Sequence, residues 1–229
     1  MVLPACLMQN IEMQMSPDGT ATCFALTRAR SHPTPFGRVG GVSRMNTAPD
    51  TNVLDFEIYL LVTMKYGMIN QDSDRAAKLA EHGLSFGDAE RIHQRVADEL
   101  RDASTQFAKL QALLGLRADN GNSLSFQGIL WPEFDFTATA DCDGSIAAAG
   151  YRRARGEPVR AAAPTVQPPW SMDTVDFAHC FGPAKVISTS VLFDKYLPAQ
   201  ELHEFDWEGR RYGAGFGWGL FLSASLMWT

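Results

Sequence analysis

Hydrophobic residues recur at helical spacing through one central part of the chain, residues 52–115. Across 52–67 the apolar side chains repeat at steps of three and four, which predicts a helix. Asn52 is placed to cap the first turn of this helix, and Gly67 is placed to end it in a left-handed conformation. A second, shorter helix is predicted over 75–82 from the same kind of spacing.

The longest apolar stripe of the chain lies between Ser85 and Gly115. Ser85 and Asp88 match a capping box with aspartate in place of glutamate, which predicts a helix start. One helix face then carries Ala89, Ile92, Val96, Leu100, Ala103, Phe107, Leu110 and Leu114. We therefore predict a single helix of at most about eight turns that ends at Gly115. Because the stripe covers only about three and a half heptads, packing on the domain core is favoured over a coiled-coil seam to another subunit.

Alternation of apolar and polar residues predicts β-strands on both sides of this helical block. On the N-terminal side, residues 9–27 match a hairpin with a Ser-Pro-Asp-Gly turn at 16–19. On the C-terminal side, strands are predicted over 124–131, 134–140, 145–151, 185–193 and 202–207.

Four glycines near the C-terminus alternate with larger residues, so that one strand face is bare backbone and the other is apolar. They are Gly213, Gly215, Gly217 and Gly219. This pattern predicts one strand that continues through 220–228 and packs closely against another part of the fold. The alternative is a ligand that lies on the bare face.

These elements predict an α+β fold, an antiparallel β-sandwich or partly open barrel with an inserted helical block. The whole chain, 1–229, is predicted to form a single domain. Within it, 1–51 supplies the N-terminal hairpin and a basic loop, 52–117 the helical insertion, and 118–229 the C-terminal β region.

The composition of the chain is that of a soluble globular protein, with 45% hydrophobic and 20% charged residues. A net charge of -6 argues against a globally basic nucleic-acid binder. No apolar run is long enough for a transmembrane helix and no signal peptide is recognised, so a cytoplasmic protein is expected. The four cysteines form no Cys-x-x-Cys pair, and the histidines lack metal-site spacing, so neither a metal nor a cofactor is expected.

Two arginine-rich segments with many glycines and prolines stand out against this acidic background. The first contains Arg28 and Arg38, and the second contains Arg152 and Arg153. Both are predicted to be loops, and these four arginines are the candidate residues for contact with an anion or a nucleic acid. For the first segment an ordinary solvated loop is favoured, because it matches no phosphate-binding loop. The second is long enough to be either a functional or a disordered loop.

The nearest match to a catalytic constellation is Cys180 with His203 and Asp206. A thiolate nucleophile requires a base within hydrogen-bond reach and a third group that orients the base. None of the local cysteine-protease signatures surrounds Cys180, so the trio remains a weak candidate.

Because no catalytic motif converges, the leading hypothesis is a non-catalytic binding or assembly subunit that acts through protein–protein contacts. Its partner would be another protein or a second copy of the chain. A cysteine-dependent hydrolase that uses Cys180 is the first alternative, and anion or nucleic-acid contact through the basic loops is the second.

Overall fold

Seven strands in two antiparallel sheets, together with five α-helices, make up the described part of the computed structural model. The structure describes residues 49–64, 72–118, 121–157, 159, 161–191 and 198–227, all within one compact unit. The predicted α+β class is confirmed, whereas closure into a sandwich or barrel and the insertion of the helical block stay predictions. The predicted N-terminal hairpin lies outside the described residues.

The helices are α1 (Pro49–Thr63), α2 (Asp72–Ala80), α3 (Phe86–Leu100), α4 (Gln106–Leu114) and α5 (Thr174–Phe181). The first sheet has the order β1-β2-β3, with β1 (Ser123–Gln127), β2 (Phe134–Ala140) and β3 (Ile146–Arg153). The second sheet has the order β4-β5-β6-β7, with β4 (Lys185–Val191), β5 (Pro198–Trp207), β6 (Arg210–Gly217) and β7 (Leu220–Leu226).

The start of α1 differs from the prediction. The helix begins at Pro49, so the predicted cap at Asn52 is wrong and this residue lies within the helix. Proline suits a first helical turn because its fixed φ is helical and no intrahelical N–H is lost there. Ile58, Leu60 and Leu61 are all buried, which shows that α1 is covered on most of its sides.

The predicted single helix over 85–115 is wrong, because the chain breaks between α3 and α4. The Asp102 carboxylate accepts hydrogen bonds from the Ser104 hydroxyl at 2.9 Å and the Thr105 hydroxyl at 3.1 Å. Such local bonds compete with helical backbone geometry, and a 3₁₀ turn replaces the α-helix there. The capping box of Ser85 is confirmed, as is the left-handed end at Gly115.

Two hydrophobic clusters hold these elements together. The first joins α1, α3 and α4 to the first sheet and includes Phe56 packed edge-on against Phe136. The second lies where α5 covers the second sheet, with Phe177 between Phe205 and Phe216. The first cluster also includes Leu220 and Leu222 of β7, so it extends from the first sheet to the second.

The glycine-rich C-terminal segment is a hairpin, so the predicted single strand through 220–228 is wrong. The chain reverses at Trp218 and Gly219, which have φ angles of 51° and 81°. Two residues with positive φ match the right-handed twist of a tight hairpin. Close internal packing is confirmed at Gly217, where an added Cβ would lie 3.0 Å from Met64 Cγ.

Candidate functional site

A cleft of about 400 Å³ lies between the two sheets, and we call it the inter-sheet cleft. It is bordered by β2 and β3 of the first sheet, the start of α5, and β5 with the β6–β7 turn of the second sheet. Its lining residues are Thr137, Thr139, Ala148, Ala149, Gly150, Arg152, Thr174, Glu201, His203, Trp218 and Gly219.

The backbones of the two sheets touch at one border of the cleft. The Tyr151 N–H donates to the Trp218 carbonyl at 2.8 Å. An added Cβ at Gly150 would lie 3.1 Å from the Trp218 oxygen, and one at Gly219 would lie 3.0 Å from the Tyr151 oxygen. Glycine at both positions is therefore what allows this close approach.

Glu201 and His203 form a polar pair on one face of β5. They are two residues apart in a strand and therefore share a face, and His203 Nε2 lies 2.8 Å from Glu201 Oε2. The imidazole also packs on Phe216, with ring centroids 4.6 Å apart. The hydrogen bond with His203 lowers the pKa of Glu201, and the charge of Arg152 adds to that effect.

Arg152 reaches the cleft from the end of β3. Its Nη1 donates to the Thr174 hydroxyl at 2.8 Å and lies 3.4 Å from the Tyr151 carbonyl oxygen. Within the described residues, Arg152 forms no ion pair with a carboxylate. The guanidinium is thus positioned by neutral oxygens and retains N–H donors for a ligand.

Arg153 follows Arg152 directly but faces the opposite side of β3. Its Nε donates to Asp176 Oδ2 at 2.7 Å and its Nη2 to the Ser171 carbonyl at 2.6 Å. Both arginines belong to a strand, so the prediction that they lie in a loop is wrong. Arg155, just beyond the strand, pairs with Asp135. Of the predicted binding arginines, Arg28 and Arg38 lie outside the described residues.

The structure does not bring Cys180, His203 and Asp206 together. The Cys180 thiol donates to the Val159 carbonyl at 3.4 Å, and burial, followed by the charge of Asp176, raises its pKa. Asp206 is three residues from His203 along β5 and therefore points to the other face of the sheet. The carboxylate beside His203 is that of Glu201, a pairing that the sequence analysis did not predict.

Glu57 is a buried carboxylate that sequence analysis missed. Its Oε2 accepts the N–H groups of Ile129 and Leu130 at 2.7 and 2.8 Å, and its Oε1 accepts the Tyr151 hydroxyl at 2.8 Å. Burial raises the pKa of Glu57 against the opposing effect of these hydrogen bonds. The residue therefore joins α1 to the segment after β1 and to β3.

Among the described residues, no group of three or more His, Cys, Asp or Glu side chains is arranged to hold a metal ion. The described helices include none with the length and apolar character needed to cross a membrane.

The chain matches no protein-family model, no curated protein and no solved structure. Its function is therefore inferred from the side chains described above.

Proposed function

We propose that the protein is a non-catalytic binding subunit that takes an anionic group of its partner into the inter-sheet cleft. The observation that carries this proposal is the Arg152 guanidinium, which is held by the Thr174 hydroxyl and has no carboxylate partner among the described residues. A carboxylate or phosphate group supplies the two parallel acceptors that a guanidinium binds best.

Two hydroxyl groups and one carboxylate accompany Arg152 in the cleft. Thr137 and Thr139 supply the hydroxyl groups, and that of Thr137 also lies 3.5 Å from the Gly150 carbonyl oxygen. The Glu201 carboxylate is paired with His203, so Arg152 and the hydroxyl groups are the donors that we assign to an anionic group. His203 is held against Glu201 and packs on Phe216 with the two rings tilted, so its position is fixed before a ligand enters. A pre-positioned polar site loses less entropy when it binds.

The two alternative functions have less support. A cysteine hydrolase needs a thiol with a lowered pKa beside a base, whereas burial raises the pKa of Cys180 and its sulfur contacts a backbone carbonyl. Contact with a nucleic-acid backbone needs several unpaired cations along one surface. Arg153 and Arg155 are each paired with a carboxylate, so among the described arginines of this strand end only Arg152 lacks a carboxylate within ion-pair distance.

The proposal is tested by titrating the protein with acetate and with inorganic phosphate while NMR records the Arg152 and His203 side-chain signals. We expect both signals to shift on binding. Arg152→Gln should weaken binding by about 10- to 100-fold, as for the loss of a charged hydrogen-bond pair.

The matched control is Arg155→Gln, which removes an arginine that already pairs with Asp135 and does not line the cleft. This variant should bind both anions as the wild type does. Equal binding by Arg152→Gln and the wild type, or signal shifts outside the cleft only, would contradict the proposal.

A further inference from the structure

A second cavity, of about 600 Å³, shares no lining residue with the inter-sheet cleft. Its walls come from the end of α2, the segment that joins β1 to β2, and the segment before α5. Trp131, Phe134 and Trp170 supply aromatic walls. The charged or basic lining residues are Lys78, His82, Arg153, Glu81 and Glu133. We call this cavity the tryptophan pocket.

Two indole N–H groups in the walls of the tryptophan pocket lack acceptors. Trp131 and Trp170 are 3% and 7% exposed, and their ring centroids lie 5.9 Å apart. Neither Nε1 atom has a hydrogen-bond partner among the described residues. Trp218 provides the contrast, because its buried Nε1 donates to the Thr63 hydroxyl at 2.8 Å. Buried donors without acceptors are unfavourable, and two of them in one cavity wall indicate that something else accepts them.

The backbone at Trp170 supports the same conclusion. Its φ angle is 58°, a left-handed value that is unusual for a bulky aromatic residue. The Trp170 N–H donates to the Phe221 carbonyl at 2.7 Å, which holds the residue in place against the second sheet. Strained backbone of this kind concentrates at sites that clamp ligands.

We propose that the tryptophan pocket binds a planar aromatic carboxylate. Aromatic walls suit a flat apolar ring, with an edge or face contact to each indole. The carboxylate oxygens provide acceptors for the two indole N–H groups. The Lys78 ammonium donates to Glu81 at 3.0 Å and keeps further N–H donors for the ligand carboxylate. Both indole nitrogens are buried, so the proposed binding includes a small rotation of the indole rings, as is common for side chains at binding sites.

The experiment is a titration with 2-naphthoate, followed by the indole N–H signals in ¹H–¹⁵N NMR spectra of the wild-type protein. We expect the signals of Trp131 and Trp170 to move downfield as they gain an acceptor, while the signal of Trp218 stays in place. Cyclohexanecarboxylate, which has the charge without the flat ring, should bind at least about 10-fold more weakly.

Trp170→Phe should reduce the affinity for 2-naphthoate by about 10-fold or more, since it removes one donor and keeps the ring. Trp218→Phe is the matched control and should bind as the wild type does. If the tryptophan variants do not fold, Lys78→Met replaces them. This variant should weaken the binding of 2-naphthoate by about two- to fivefold and leave the binding of neutral 2-naphthamide unchanged. The proposal is overturned if the Trp131 and Trp170 signals do not move, if Trp218 moves equally, or if these variants leave binding intact.

Discussion

Arg152 and Arg153 are neighbours in the chain, yet they serve two different cavities. Arg152 lines the inter-sheet cleft and is held by a hydroxyl and a carbonyl, whereas Arg153 lines the tryptophan pocket and is bound to the Asp176 carboxylate. Strand geometry sends consecutive side chains to opposite faces, which is enough to separate them. The strand face on which an arginine lies, rather than the local density of positive charge, therefore decides whether it is available to a ligand.

The two cavities also differ in whether the polar groups of their lining side chains have hydrogen-bond partners. In the inter-sheet cleft, Arg152 and His203 are held in position by neighbouring side chains, Thr174 and Glu201. In the tryptophan pocket, two indole donors have no such partner among the described residues. The first cavity therefore resembles a pre-positioned site, and the second a site whose hydrogen bonding a ligand completes.

The largest effect is expected from Glu57→Leu, which removes the acceptor of three buried hydrogen bonds. It should cost about 3–5 kcal/mol of unfolding free energy, because the N–H groups of Ile129 and Leu130 remain buried without an acceptor. Urea denaturation measures this loss. Glu57→Gln retains an acceptor and should cost less than half as much. Ile129 and Leu130 line the tryptophan pocket. Equal losses for the two variants would show that hydrogen bonds to the side chain of residue 57 do not stabilise this part of the pocket lining.

Gly219→Ala tests the close approach of the two sheets. Alanine there would adopt a φ of 81° and place its Cβ 3.0 Å from the Tyr151 oxygen, so we expect a loss of about 2–3 kcal/mol. Gly209→Ala is the control, since its φ is 73° but nothing lies within 4 Å of the added Cβ. It should cost only about 1 kcal/mol. Thermal or urea unfolding that gives the same loss for both variants would contradict the role assigned to the contact.

The pair of variants Arg152→Gln and Arg153→Gln tests the different roles of the two arginines directly. The second substitution breaks a half-buried ion pair with Asp176 and should lower the unfolding free energy by about 1–3 kcal/mol. The first should change stability by less than about 0.5 kcal/mol while it weakens anion binding in the cleft. The reverse order of stability losses in urea denaturation would refute the distinction between the two arginines.

The smallest effect is a difference in pH dependence between Glu57 and Glu201. The pKa of Glu57 is raised above its ordinary value of 4.5, so the stability linked to this group is full below pH 4.5 and is lost as the pH rises through the folded-state pKa. The pKa of Glu201 is lowered, so its contribution is present above 4.5 and is lost as the pH falls through the folded-state pKa. As the pH rises, the stability advantage of the wild type over Glu57→Gln should therefore decrease, and its advantage over Glu201→Gln should increase. Denaturation measured across about pH 3–7 checks both changes.

Local patterns predicted much of the fold because they depend on nearby residues alone. The capping box at Ser85 and the left-handed helix end at Gly115 are examples, and both are confirmed. The break after α3 was missed because the hydrogen bonds of Asp102 override a continuous apolar stripe. The reversal at Trp218 was missed because tryptophan does not mark a turn, and its conformation is supported by contact with Tyr151 in the other sheet.

The candidate sites were less predictable, since each joins residues that are distant in the sequence. The Glu201 and His203 pair was missed because the predicted strand began at residue 202, whereas the strand begins at Pro198. Its proximity to Arg152 could not be predicted, because it depends on how two separate sheets meet. The same holds for the unpaired indoles of Trp131 and Trp170, since only the packed structure shows which donors lack acceptors.

The buried carboxylate of Glu57 also bears on the order in which the chain folds. Its three donors lie 72, 73 and 94 positions further along the sequence. While the ribosome is still making those residues, α1 carries a charged group with no partner in the middle of an otherwise apolar surface. Water around that charge opposes early burial of α1. We therefore expect α1 to dock late, after β3 has been synthesised, which protects the nascent helix from collapsing onto the wrong surface.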